Sequence, residues 1–432
     1  MRVLKQFVGT GTLRGLPLLL LAYAALMTHF IFGRAFRDSL LGSHLTIRSL
    51  PYLTMWSTIA SIVVSLLISN LFRSRQRKRI ACAGFAVNAV IELSFSLASS
   101  RLPWLYSLFF IDVSASTLVG LSMIWILIGD WASSCHADRS RLIPAVMVFG
   151  TVASIVAGVG LTHLRTATSF RSATLILAAM NTIPVVALLF HRSDDCVSRH
   201  GFTFRHLQDQ AYLPNKLLRK FALLVVVAAL TSTLLDLMFR IRVAQYYVHQ
   251  SDRLHFLGLF QSLLNVCALL SQIAVGRLFQ KKLGLTFIHL HPAIVCIASC
   301  LLAFAPGFWL FTCLRSGEYS LRNSLFRFGS EMTYARFPDQ ERAIVRPLID
   351  VIGERLGDFC AAGILALLLL VNPQLPVKLG LFILALCSLL FWWICRSLER
   401  SISAIAVKAE QDLALATTSK YAGMAHEGAG IV

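Results

Sequence analysis

Long apolar runs, broken by short clusters of charged, Pro and Gly residues, recur along the whole chain. Each run is roughly 18 to 25 residues, and at 1.5 Å per residue that length crosses a hydrocarbon core about 30 Å thick, which a shorter buried helix would not need. The runs fall near residues 16–34, 50–72, 79–98, 103–128, 143–164 and 170–190, and again near 218–240, 254–276, 284–304, 307–327, 347–371 and 376–396. The expected fold is therefore all-α, a polytopic membrane protein of about twelve transmembrane helices in two six-helix bundles. The reading divides the chain into an N-terminal bundle (1–190), a polar linker (191–217), a C-terminal bundle (218–398) and a tail (399–432).

Composition agrees. Apolar residues make up 56% of the chain and charged residues 14%, where a soluble domain carries about 25% charge. The net charge of +19 raises the question of nucleic acid, yet no soluble stretch is long enough for a reading domain. Lys and Arg crowd the loops on one side, above all Arg73 to Arg79 and Lys281-Lys282, as the positive-inside rule expects of cytoplasmic loops. Both termini and the linker are placed in the cytoplasm on that ground. Ala22-Tyr23-Ala24 looks like a signal-peptide cleavage site, but the run continues past it to a polar cluster and reads as the first span. Met1 to Gly15 is too short for an organelle transit peptide, so a bacterial inner membrane, crossed many times, is the expected address.

Most of the cysteines lie singly within apolar runs, as at Cys82, Cys267, Cys313, Cys360 and Cys387, and read as small buried hydrophobes. Cys296 and Cys300 share a helix face but lack thiol or imidazole partners at ligand spacing. There is no His-Glu metal helix, no Ser-His-Asp set and no Gly-rich phosphate loop. No enzyme, cofactor or metal is expected, and the partners are membrane lipid and a small-molecule solute.

The halves repeat. Asp130, Asp138 and Arg141 recur at the same spacing as Glu331, Asp339 and Arg342, and Leu71-Phe72 before basic residues recurs as Leu278-Phe279 before Lys281-Lys282. Six plus six helices about a central loop is the architecture of the major facilitator class, whose halves rock around a central cavity. Its usual loop motif is eroded here: Asn70 to Ile80 keeps the basic residues without the Gly and Asp.

An ionised side chain at the bilayer centre costs about 2.5 to 3.5 kcal/mol on insertion scales, so charges inside the spans should face a cavity or one another. Arg315, Glu318 and Arg322 lie within about 60° of one face of the tenth span. Asp350, Glu354 and Asp358 step by four along the eleventh, with Arg355 offset. Asp112 in the fourth span and Asp236 with Arg240 in the seventh complete the set; Glu92 in the third could simply lie near an interface. The plain alternative is mutual neutralisation, for Arg315 with Glu318 and for Asp236 with Arg240. Arg322, with no evident local partner except Glu318, is the expected ligand contact, since a planar guanidinium suits carboxylate or phosphate. His289 and His291 are candidate proton carriers and, equally, hydrogen-bonded structure. Gly150, Gly158 and Gly160 in the fifth span match Gly353, Gly357 and Gly363 in the eleventh, and read as close helix packing.

The stretch Glu318-Tyr-Ser-Leu-Arg322-Asn-Ser-Leu-Phe326, then Glu331-Met-Thr-Tyr334, then Ile349-Asp350-Val351 through Arg355-Leu-Gly357, resembles the ATP/ADP antiporter (nucleotide transporter) family and its bacterial relatives. Arg37-Asp38, and Asp236 four before Arg240, agree with that pattern, and Asp112 stands where the family has Glu. The resemblance implies a transporter, and taken with the charges inside the spans it gives the candidate substrate-binding residues Arg37, Asp38, Asp112, Asp236, Arg240, Arg315, Glu318, Arg322, Asp350 and Asp358. Two family lysines that hold nucleotide phosphates are replaced by Leu40 and Asp358, so ATP/ADP exchange is not expected to survive. The function this supports is alternating-access transport of a small anionic organic solute, a nucleotide being one candidate, through a cavity bounded by the first, fourth, seventh and tenth spans. The competing reading is a membrane sensor or assembly partner with a transporter-like body.

Overall fold

The computed structural model describes residues 15–72, 76–98, 102–134, 139–163, 169–191, 216–278, 287–304, 307–322, 326, 330, 348–371 and 378–401. The first half holds α1 (Leu16–Ser39), α2 (Leu50–Leu71), α3 (Arg77–Leu97), α4 (Pro103–Ser134), α5 (Arg139–His163) and α6 (Phe170–Phe190). The second holds α7 (Lys216–Tyr246), α8 (Gln250–Leu278), α9 (Phe287–Phe304), α10 (Phe308–Leu321), α11 (Glu354–Val371) and α12 (Lys378–Ser401). Among the described residues there is no strand, and nine helices are long and apolar enough to cross a membrane.

Local chemistry sets several starts. Pro residues open α1 and α2, where the missing N–H is no loss, and Ser169 caps α6 by accepting from Ser172 N at 3.1 Å. Between α1 and α2 the chain turns on Gly42, whose φ of +89° suits glycine. A π turn, Leu348–Gly353, precedes α11. Its wider i→i+5 spacing breaks the step-of-four alignment of Asp350 with Glu354 and Asp358 that a regular helix would give. The α-helical part of α10 is described to Leu321, with Arg322 and Phe326 in π geometry and residues 323–325 and 327 outside the described residues, and α7 runs on to Tyr246, past the expected 240.

Large apolar side chains point outward along the helices, among them Leu67, Val156, Leu270, Leu370 and Trp393. That belt needs hydrocarbon rather than water around it.

Two ends of the molecule differ. The end where α1, α3, α5, α7, α9 and α11 begin is called the linker end, and the opposite one the distal end. One buried core at the distal end runs through both halves, from Phe36, Leu50 and Phe109 to Leu235, Phe311 and Leu365. Towards the linker end the core of the described residues divides: Leu16, Phe85 and Leu188 belong to a cluster of the first half alone, and Phe221, Phe391 and Leu398 to one of the second. The halves meet through α5 with α8, α2 with α11 and α1 with α8. A Cβ on Gly158 of α5 would stand 2.7 Å from the Gly258 carbonyl of α8, so close approach requires glycine there. Gly357 packs as tightly on α7, 2.5 Å from the Val226 carbonyl, whereas Gly160 and Gly363 face open space.

Candidate functional site

The charges of the spans meet where the two halves close. Asp236 of α7 accepts from Arg34 Nη2 of α1 at 2.8 Å, from Arg315 Nη2 of α10 at 2.8 Å, and from Arg240 one turn on along α7. Asp38 of α1 accepts from Arg37 Nε at 2.9 Å and pairs with Arg240 Nη1 at 3.1 Å. Arg315 also bonds Glu318, and His291 Nε2 of α9 lies 3.5 Å from Glu318 Oε1 without the alignment of a hydrogen bond. Arg37 reaches Ser114 Oγ of α4 at 2.5 Å and covers the Phe110 ring.

Two of these contacts cross between the halves in a criss-cross. α1 carries Arg34 and Asp38 four apart, α7 carries Asp236 and Arg240 four apart with the signs reversed, and each charge meets its opposite on the other helix. Burial makes this arrangement obligatory, because an unpaired charge here would cost several kcal/mol. Arg34, Arg37, Arg240 and Arg315 face Asp38, Asp236 and Glu318, one positive charge in excess. A notch of about 10 Å³, room for one water, lies among Arg34, Asp38, Asp236, Arg240, Phe260 and Gln261. Two buried donors on it, Arg240 Nε and Gln261 Nε2, have no partner among the described residues.

Arg253, on α8, closes the distal end. It is 1% exposed and donates to the carbonyls of Ser39 at the end of α1 and of Tyr247 and Val248 after α7, each at 2.9 Å. It thereby satisfies helix-end carbonyls of both halves at once. Beside it His44 stacks on Tyr106 at 4.3 Å; burial, then the nearby Arg253 charge, hold this imidazole below its ordinary range.

Of the residues expected from sequence, Arg37, Asp38, Asp236, Arg240, Arg315 and Glu318 come together. Arg322 stands apart from the crossed pairs: it pairs with Glu354 of α11 at 3.3 Å, and its charge also acts on Glu318. Asp358 accepts from Thr233 of α7 at 2.5 Å and pairs with Arg355 at 2.8 Å. Asp112 lies within the first half, where Glu92 and His29 are its charged neighbours. Asp350 sits in the π turn, its side chain outside the described residues, as are Asp138, Glu331, Asp339, Arg342, linker residues 192–215 and the tail from 402 on. His289 bonds Glu399 at 2.7 Å. Sequence reading missed Arg34, Arg253 and Gln261. For Arg34 a signal existed, its place four before Asp38; for the other two none did, since a lone Arg near a span end usually reads as a topological anchor.

No family model and no curated protein sequence matches the chain. Solved structures do. The nucleoside transporter NupG matches at a TM-score of 0.68 and 13% identity, covering 89% of this chain and 98% of that one; a mutant of the same transporter reaches 0.72 at 12%, covering 89% and 99%. A bacterial homolog of the human lysosomal transporter Spinster, inward-facing and occupied, matches at 0.63 and 12% identity, over 88% of this chain and 96% of that one. The fold is that of the major facilitator transporters. At such identities the likeness establishes the fold alone.

Proposed function

We propose that this protein is a secondary transporter moving a small organic anion of low charge by alternating access. The observation that carries the reading is the shared core and crossed ion pairs at the distal end, with separate cores at the linker end: among the described residues, a body closed on one side and parted on the other. With Lys- and Arg-rich loops marking the linker end as cytoplasmic, this is the inward-facing arrangement. The excess positive charge, with two unpartnered donors at the junction, favours an anion. The likeness of the tenth and eleventh spans to nucleotide exchangers supports a distant relationship. Where those exchangers hold phosphates with lysine, this chain has a fully buried Leu40 and an Asp358 already bonded, which argues against a nucleoside triphosphate.

A thermal-shift screen of purified protein against nucleosides, nucleoside monophosphates, phosphorylated sugars and carboxylates tests the reading. A solute present at 100 times its Kd should stabilise the protein by about 2.7 kcal/mol, and Gln261→Leu should abolish that response. Saturable counterflow of the same solute in proteoliposomes completes the case. No response to any of these anions, by a folded and monodisperse preparation, would favour the partner-protein reading instead.

A further inference from the structure

The network between the halves leaves out three ionisable side chains that lie together inside the first half. Glu92 of α3 is completely buried and accepts from Asn181 Nδ2 of α6 at 2.8 Å. Its other oxygen stands 2.6 Å from His29 Nε2 of α1, itself 1% exposed, and 3.5 Å from Asn88 Nδ2. Asp112 of α4 has these two groups as its charged neighbours. Two buried polar atoms in the cluster have no partner among the described residues: Asp112 Oδ2 and His29 Nδ1.

The valences point to one missing hydrogen. With Nε2 donating to the Glu92 carboxylate, Nδ1 of His29 is left with an unused lone pair. A carboxylate oxygen buried without a donor is strongly disfavoured as an anion, and a proton removes the difficulty. Among the described residues the surrounding helices supply no fixed cation: at this level α3 brings Glu92 and Asn88 and α6 Asn181, with Arg171 far off in its first turn, while Asp130 of α4 lies at the linker end. Arg34 and Arg37, further along α1, are bonded to Asp236, Asp38 and Ser114. Two acids and one imidazole thus lie in one region of the first half, Glu92 and His29 fully buried and Asp112 partly so, among the described residues without a Lys or Arg bonded to any of them.

We infer that Asp112, beside the buried His29–Glu92 pair, is a proton-binding site. The step is a proton transfer alone, an O–H bond forming on Asp112 as hydronium becomes water. His29 is five residues, about 7.5 Å along the helix, from Arg34, so one helix adjoins this site and takes part in the crossed pairs. That solute movement is driven by this proton rests on the transport reading; the site itself does not.

Infrared titration of the full-length protein in phosphatidylethanolamine and phosphatidylglycerol liposomes tests it without any solute, the proton being the probe. The wild type should show a carboxylic-acid C=O band whose size follows pH, and Asp112→Asn should lose it. Glu92→Gln and His29→Gln should each displace its midpoint, which keeps the test decisive if Asp112→Asn fails to fold. A pH jump on a supported membrane should displace charge in the wild type and not in Asp112→Asn. A band absent from the wild type, or unchanged in all three variants, overturns the assignment. Failure of solute flux with the band and its mutant responses intact overturns the transport reading and leaves the proton site standing.

Discussion

Replacing Arg34 by Met removes the most informative single contact in the protein. Arg34 Nη2 crosses from α1 to Asp236 at 2.8 Å, while its Nε stands 3.9 Å from Asp38 on its own helix. Met keeps the apolar stem. Asp236 still has Arg240 and Arg315, and Asp38 still has Arg37 and Arg240, so neither carboxylate is stranded. What is lost is one charge-assisted hydrogen bond, about 1.5 to 3 kcal/mol, felt only while the distal end is closed. At 1.4 kcal/mol per factor of ten, the balance should move about 10- to 100-fold towards the distal-open state. Spin labels on the exposed Leu102 and Trp309, at the distal ends of α4 and α10, would report it by pulsed electron resonance as a new, longer distance. Asp236→Asn is the control. It strips three arginines of their shared anion, a loss on the scale of breaking a buried pair, about 3 to 5 kcal/mol, and should lower the melting temperature in every state. An unchanged distance distribution in Arg34→Met, together with equal melting losses in both variants, would refute the gating argument.

Four further outcomes are expected. Arg322→Ala should change stability by less than about 1 kcal/mol, because its pair with Glu354 is partly exposed and the Arg315 bond to Glu318 survives; a fall in yield and melting temperature like that of Asp236→Asn would contradict this. ADP-loaded proteoliposomes should show little counterflow of labelled ATP, given Leu40 and Asp358, and rapid saturable exchange would overturn that expectation. Because the folded protein holds His44 below its ordinary value of about 6.5, the stability tied to neutral His44 is present above that pH and lost as pH falls through the lower folded value. The melting-temperature difference between wild type and His44→Gln should therefore change on acidification and stay constant above about pH 7. Cysteine placed at Gly201 should resist impermeant reagents applied to intact cells, and labelling from outside would reverse the assigned topology.

Most of the fold was legible because a bilayer enforces it: backbone groups in hydrocarbon must bond within their own helix, so long apolar runs have few alternatives. Most span boundaries needed only small adjustment for that reason. The larger overruns, at the ends of α1, α4 and α7, arise where charges interrupt the apolar signal, and the π turn before α11 left no mark in periodicity. The charged set was equally legible as a set, since ions inside spans are conspicuous wherever they occur. Their partnerships were not. Sequence spacing shows the local options, Asp236 with Arg240 and Arg315 with Glu318, and both form. Only the packing of α1 against the second half turns Arg34 and Asp38 towards α7, and only the packing of α11 offers Glu354 to Arg322. The cluster of His29, Glu92 and Asp112 is the extreme case, three residues far apart in sequence on three helices, brought together by packing that no single helix encodes. Hydropathy reports what each residue leaves behind in water; which charge answers which is a matter of distances between helices, and those exist only once the bundle has closed.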